Sequence, residues 1–85
     1  MDRIRILAPD VSLQADAPLS IDETRRLFAA MLRSRTYDYK STAMQKQGRL
    51  ATYAPFEGQE AAQIGSAAAL RPDDWMVATY RDAAA

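Results

Sequence analysis

The sequence lacks cysteine and histidine altogether, and its charges cancel. It has 85 residues, with 11 Lys plus Arg and 11 Asp plus Glu. Without cysteine there is no disulfide framework and no thiolate metal site. Without histidine, the commonest general base and metal ligand at neutral pH is missing. The zero net charge argues against a nucleic-acid-binding protein, which would normally carry a basic excess on one face.

Long apolar runs are absent too. No stretch reaches the roughly 18 apolar residues that a membrane-spanning helix needs. Residues 1–7 show neither the apolar core nor the cleavage pattern of a signal peptide. The simplest prediction is therefore a cytoplasmic location. A chain of this length forms one small domain at most, and it buries only about 60–65% of its unfolded surface.

The first part of the chain is predicted to be an arm followed by a long helix. Residues 1–19 show little periodicity and are predicted to be extended, with a frayed terminus as the alternative. Ser20 and Glu23 fit a capping box, which indicates a helix start. No proline or glycine occurs between residues 20 and 47, so the pattern predicts one helix of about seven turns over residues 20–47.

A second helix and a short strand are predicted in the remainder. The helix is expected over residues 57–71, since Pro72 disfavours helical geometry in the residue before it. Gly65 costs about 1 kcal/mol in a helix interior. We therefore interpret the Ala/Gly face of this helix as a surface for close packing, with simple helix formation as the alternative. The apolar run of residues 75–79 predicts a strand. The predicted fold class is a mostly α fragment with an extended arm, two helices and a short C-terminal strand.

The apolar side chains give two further expectations about packing. Tyr53, Phe56 and Trp75 are expected to form an exposed apolar patch. The two helices are expected to pack through a small set of apolar residues, namely Leu27, Phe28, Met31 and Ile64, with Leu70 and Trp75 nearby.

Two pairs of polar residues are candidates for function. Arg35 and Asp38 lie three residues apart on the first helix and are predicted to pair along its surface, most simply as a solvated pair. Tyr80 and Arg81 follow the predicted strand, at the edge where ligands collect in open α/β sheets. An arginine presents a planar fork of donors that suits phosphate, and the tyrosine hydroxyl can donate to the same group. Taken alone, such a dipeptide more often marks only a polar turn.

Several motifs together resemble a known family. They are Gln-Lys-Gln-Gly-Arg-Leu at residues 45–50, Tyr-Ala-Pro-Phe at residues 53–56, Gly-Gln-Glu-Ala-Ala at residues 58–62, the spaced Arg35 and Asp38, and the run of residues 75–81. Through these motifs together, the chain resembles the alpha subunit of the thiamine-diphosphate-dependent, decarboxylating first component of 2-oxo-acid dehydrogenase complexes. Within that family it is most similar to the pyruvate dehydrogenase branch.

The resemblance implies a parent α/β thiamine-diphosphate-binding fold. Residues 1–19 would be its N-terminal arm, and residues 20–85 the incomplete, helical N-terminal part of the subunit. It also implies that Tyr80 and Arg81 contact the diphosphate of thiamine diphosphate, and it assigns no catalytic residue to this chain. The family holds magnesium through a Gly-Asp-Gly motif and a later asparagine pair. Neither motif occurs here, so the magnesium ligands are expected outside this sequence.

The implied activity is that of a larger assembly. The parent would decarboxylate pyruvate and acetylate the lipoyl group of the second component, as a heterotetramer with a beta subunit, with no nucleic-acid or membrane partner. The chain alone is expected to be an inactive N-terminal fragment. One alternative is an alpha subunit that acts on branched-chain 2-oxo acids or acetoin. The other is a non-enzymatic helical interaction module that docks through the small residues of 61–69.

Overall fold

The computed structural model describes residues 3–85 and contains two helices. Helix α1 spans Ile21–Lys46 and helix α2 spans Glu60–Ala68. Residues 47–59, here called the connector, join them, and residues 69–85, here called the tail, follow α2 without regular secondary structure. The first two residues of the predicted arm lie outside the described residues.

Both ends of α1 follow from local sequence. The Ser20 hydroxyl accepts a hydrogen bond from the backbone N–H of Glu23 at 3.1 Å, which is the serine half of the predicted capping box. At the other end Gly48 has a φ of +74°. Its N–H donates to the carbonyl of Gln45, and the next N–H, that of Arg49, donates to the carbonyl of Met44. This pair of bonds is a Schellman motif, and it ends the helix because few residues other than glycine adopt that backbone conformation.

Helix α2 is shorter than the sequence predicts. It has nine residues where the prediction covered residues 57–71. Gly58 has a φ of +92°, so residues 57 and 58 form a turn that precedes the helix rather than its first residues. At the far end, Ala69 and Leu70 donate to the carbonyls of Ser66 and Ala67, three residues back, and this tighter winding ends the helix before Pro72.

The predicted strand over residues 75–79 is not found. Within residues 3–85 the β pairing is limited to one isolated antiparallel bridge, between Leu7 and Leu13 in the arm. A strand exists through hydrogen bonds to a neighbouring strand, and the described part of the chain places none beside residues 75–79. Trp75 and Val77 are accordingly 93% and 94% exposed. The strand prediction was wrong for this chain because β propensity cannot supply the missing partner.

The arm is a local loop instead of a straight extended segment. The N–H of Ala8 donates to the carbonyl of Ser12, and the N–H of Gln14 donates to that of Ile6. The chain reverses between these bonds at Val11, whose φ is +69°. Most of the arm's side chains are exposed, so it contributes little to the packed centre.

The centre of the molecule is largely polar. Phe56, from the connector, is the one fully buried hydrophobic side chain among residues 3–85, and it is 1% exposed. The other buried side chains among the described residues are polar or charged, namely Asp38, Ser41, Glu60 and Gln63. The total accessible surface is 7209 Å², whereas a compact monomer of this mass would expose about 5,000 Å². The fully buried centre is therefore built from the connector and a few polar side chains, and much apolar surface stays open.

The predictions about the packing of apolar side chains were wrong in part. Leu27, Met31 and Ile64 are half-buried, but Phe28, Leu70 and Trp75 are exposed. The expected apolar patch is also wrong in part, because Phe56 is buried and Tyr53 is half-buried. Gly65 packs closely against no other segment, since a methyl group at its Cβ position would meet no atom within 4 Å. The face interpreted as a close-packing surface is thus unpacked in the described chain.

Candidate functional site

Tyr80 and Arg81 lie together in a tight turn of the tail. Thr79 starts the turn, and both its N–H and its hydroxyl donate to Asp82 Oδ2 at 2.8 Å. In return the N–H of Asp82 donates to the Thr79 carbonyl at 3.2 Å. The bonds from Thr79 lower the pKa of the Asp82 carboxyl, because they favour its charged form. These reciprocal bonds fix the conformation of the turn. They therefore hold the backbone of its two middle residues, Tyr80 and Arg81, in place.

The Arg81 guanidinium is anchored at one corner and open elsewhere. Its Nη1 donates to the carbonyl oxygen of Pro55 in the connector at 2.7 Å. Its Cζ lies 5.6 Å from the centroid of the Tyr80 ring, within the range of a cation–π contact. Among residues 3–85 no other acceptor bonds this guanidinium, and Tyr80 is 82% exposed. The remaining N–H groups and the phenol are available to an anionic ligand.

Gln63 holds the tail against α2. Its side chain is nearly buried, and its Nε2 donates to the carbonyl of Arg81 at 2.8 Å. The Oε1 of the same amide accepts from the N–H of Ala84 at 2.9 Å. Both the donor and the acceptor of this buried amide therefore bond main-chain atoms, namely the carbonyl of Arg81 and the N–H of Ala84. This clasp carries much of the tail's attachment to the helices.

The predicted surface pair between Arg35 and Asp38 does not form. Arg35 instead reaches across to α2, where its Nε and Nη2 bond both carboxylate oxygens of Glu60, the second at 3.1 Å. Its Nη1 also lies 3.7 Å from Glu57. The hydrogen bonds from Arg35 lower the pKa of Glu60 to about 2. The same pair raises the pKa of Arg35 above its usual value. This bidentate ion pair joins the two helices on either side of the connector.

Asp38 is fully buried and binds the connector. Its Oδ1 accepts from the hydroxyl of Tyr53 at 2.7 Å and from the backbone N–H of Phe56 at 3.0 Å. Burial, and then the nearby Asp38 carboxylate, raise the pKa of the Tyr53 hydroxyl. The surface-pair prediction was wrong because Arg35 bonds Glu60 on α2 and Asp38 bonds the connector, and helical spacing alone predicts neither contact.

An open cleft of about 360 Å³ separates α2 from the tail. Its walls are mostly small and apolar, and they include Ala62, Ala67 and Met76 together with part of Gln63. Tyr80 and Arg81 do not line it. Asp82, which closes the arginine turn, does line it, so the cleft adjoins the turn without including its two middle residues.

The described residues hold no recognisable metal site. Within residues 3–85, no three acidic side chains come together in a way that could bind a metal ion. The same residues contain no helix long and apolar enough to cross a membrane.

Sequence reasoning named Asp38 only as half of a surface pair and did not name Gln63. Asp38 carried a usable signal, since a carboxylate that interrupts the apolar face of a helix must find donors if it is buried. Gln63 carried none, because a glutamine in an alanine-rich helix is ordinarily a solvated residue.

Comparisons with known proteins agree on one family. A family model described as dehydrogenase E1 component matches residues 29–85. The chain is 38% identical to the 3-methyl-2-oxobutanoate dehydrogenase subunit alpha of Mycobacterium tuberculosis (strain CDC 1551 / Oshkosh), over 96% of this chain and 23% of the relative. It is 47% identical to the pyruvate dehydrogenase E1 component subunit alpha of Acholeplasma laidlawii, over 67% of this chain and 16% of the relative. The Bacillus cereus subunit of the same name is 42% identical over 75% of this chain and 17% of the relative.

The chain thus spans less than a quarter of the length of these relatives. No solved structure shows a significant match to it.

Proposed function

The chain belongs to the dehydrogenase E1 component family, and we propose that it forms the N-terminal part of the alpha subunit of a thiamine-diphosphate-dependent 2-oxo-acid dehydrogenase. Its proposed task is to hold the diphosphate of the cofactor through Tyr80 and Arg81. The observation that carries the proposal is the Arg81 turn, which lies inside the family match and presents unbonded guanidinium N–H groups from a backbone fixed by Gln63.

The donor set suits a diphosphate. A guanidinium offers parallel N–H groups that match phosphate oxygens, and its charge persists at every physiological pH. The Tyr80 hydroxyl adds a neutral donor beside it. When bound, thiamine diphosphate supplies the decarboxylating chemistry, and the protein orients it. Tyr80 and Arg81 would act only as an anchor, since an arginine that stays protonated does not exchange protons with a substrate.

The magnesium that accompanies the cofactor would need ligands from other parts of the parent protein. The described residues offer no cluster of acidic side chains for it. The parent protein would also supply the neighbouring strands that residues 75–79 lack, within an α/β fold. The exposure of Trp75 and Val77 supports this, because a neighbouring part of the fold would cover them.

Pyruvate is the proposed substrate, and acetyl transfer to a lipoyl group on the second component the proposed outcome, with a beta subunit completing a heterotetramer. The relatives from Acholeplasma laidlawii and Bacillus cereus, which are named as pyruvate dehydrogenase subunits, support this choice by their identity. A branched-chain 2-oxo acid is the second candidate. It is favoured by the Mycobacterium tuberculosis relative, because that alignment covers nearly the whole chain.

Replacing Arg81 in the full-length subunit tests the proposal. With the beta subunit present, Arg81→Ala should weaken thiamine diphosphate binding by roughly 2–4 kcal/mol, as expected for a charge-assisted contact that the cofactor and the rest of the assembly would bury. Saturating cofactor should restore much of the rate, because no proton transfer is lost. Tyr80→Phe should have a smaller effect, since it removes one neutral donor.

Arg25→Ala is the matched control. Arg25 is exposed near the start of α1, and among the described residues its side chain makes no hydrogen bond or ion pair. This variant should bind the cofactor as the parent does. An unchanged dissociation constant in Arg81→Ala, measured by isothermal titration calorimetry, would remove Arg81 from the cofactor site.

A further inference from the structure

One peptide group links the buried centre of the protein to the Arg81 turn. The Pro55 carbonyl and the Phe56 N–H belong to the same peptide. The carbonyl oxygen accepts from Arg81 Nη1 at 2.7 Å, and the N–H donates to Asp38 Oδ1 at 3.0 Å. A carboxylate on α1 and a guanidinium in the tail therefore bind opposite ends of one rigid plane.

The charges at the two ends act in the same direction. A carboxylate at the N–H and a guanidinium at the C=O both increase the dipole of the peptide, so each hydrogen bond strengthens the other. We propose that Asp38 is a positioning residue, which sets the place of the Arg81 guanidinium through the Pro55–Phe56 peptide. Asp38 itself is fully buried. This inference rests on the proposed function of Arg81 and adds a residue to it.

The surroundings of Asp38 favour this role over a purely stabilising one. Its second oxygen, Oδ2, is buried and has no hydrogen-bond partner among the described residues. A buried carboxylate with an unbonded oxygen costs free energy, so the residue offsets part of the stability that its two bonds at Oδ1 supply. An asparagine at this position could accept the same two hydrogen bonds without the buried charge. What the aspartate adds is the charge at the N–H end of the peptide.

The first test reads the peptide directly and does not depend on the cofactor. An amide proton that donates to a carboxylate resonates downfield, and the Phe56 amide is resolvable in a ¹⁵N-labelled protein of 9.4 kDa. We expect it to move upfield in Asp38→Asn and also in Arg81→Ala, although Arg81 lies far away in sequence. The exposed control Arg25→Ala should leave it in place. Since Arg81 is exposed, its replacement should not disturb the fold. If the chemical shift of the Phe56 amide proton does not change in Arg81→Ala, the proposal is overturned.

The second test is a double-mutant cycle on cofactor affinity in the full-length subunit with its beta partner. We expect Asp38→Asn to weaken thiamine diphosphate binding roughly threefold to tenfold, the effect of losing charge assistance along the hydrogen-bond chain. In an Arg81→Ala background the same change should have no further effect, because the residue through which Asp38 acts is gone.

The outcomes separate the two claims. An Arg81→Ala variant that keeps its cofactor affinity overturns the proposed function, and the Phe56 amide still decides the positioning role. If Arg81→Ala weakens binding but Asp38→Asn does not, the positioning role is overturned. It is overturned as well if Asp38→Asn weakens binding equally in both backgrounds, since Asp38 would then act by another route.

Discussion

Phe56→Ala is the sharpest test of how this small molecule is held together. Phe56 is 1% exposed and is the only buried hydrophobic side chain in the part of the chain that the structure describes. Truncating a buried phenylalanine costs about 3–5 kcal/mol, because its transfer free energy is lost and a cavity remains. The loss falls on the segment that Asp38 also holds, so the connector should detach from α1.

The size of the effect matters against the total stability. A chain of this length is expected to unfold at a cost of about 4–13 kcal/mol. Its accessible surface of 7209 Å² exceeds that of a compact protein by about 2,000 Å², which favours the lower end of the range. The substitution therefore removes most or all of the stability, and we expect a substantial unfolded fraction at 25 °C.

Phe28→Ala is the matched control, because it is the same substitution at a side chain that is 57% exposed. It should cost less than about 1.5 kcal/mol, since little surface is removed from water there. Urea unfolding followed by circular dichroism at 222 nm, repeated at several protein concentrations, measures both free energies and reports any self-association. Equal losses in the two variants would refute the assignment of Phe56 as the centre of the fold.

Two further predictions concern charge and backbone conformation. Because Arg35 lowers the folded-state pKa of Glu60 from 4.5 to about 2, this group stabilises the fold fully above about pH 4.5, and its contribution is lost as the pH falls from 4.5 to 2. Glu60→Gln should flatten the pH dependence of the unfolding midpoint over that interval, and an unchanged slope would contradict the ion pair. Gly58→Ala should destabilise by about 1–2 kcal/mol because its φ of +92° is strained for alanine. Gly65→Ala should stabilise by about 0.5–1 kcal/mol, since the added methyl meets open space in a helix. Chemical denaturation of the two variants checks the opposite signs.

Local chemistry allowed the helices to be anticipated from sequence. The Ser20 cap and the glycine at position 48 act over a few residues, so they marked the ends of α1 to within one residue of Ile21–Lys46. Gly58 lies outside α2, although the prediction placed it in the first turn of that helix. A glycine can open a helix or form a turn before it, and only its backbone conformation decides between the two.

Contacts between distant segments could not be anticipated in the same way. Helical spacing put Arg35 and Asp38 together, but each bonds a residue that lies at least 15 positions away in the chain. The strand over residues 75–79 failed for a related reason, since strand formation depends on a neighbour and not on the segment alone. For the candidate site, the family resemblance implied that Tyr80 and Arg81 bind the diphosphate, which stays a prediction. The supports of Arg81, namely Gln63 and the Pro55 carbonyl, became visible only in three dimensions.

The clasp made by Gln63 has a consequence for how this segment can vary among related proteins. Both of its long-range bonds go to main-chain atoms, the carbonyl of Arg81 and the N–H of Ala84. The identity of the side chain at position 84 is therefore irrelevant to the attachment, provided that it is not a proline. Selection to keep the arginine turn in place should act on position 63 and on the number of residues between 63 and 81. Among homologues, glutamine at position 63 and this spacing should persist together, while position 84 accepts any residue other than proline.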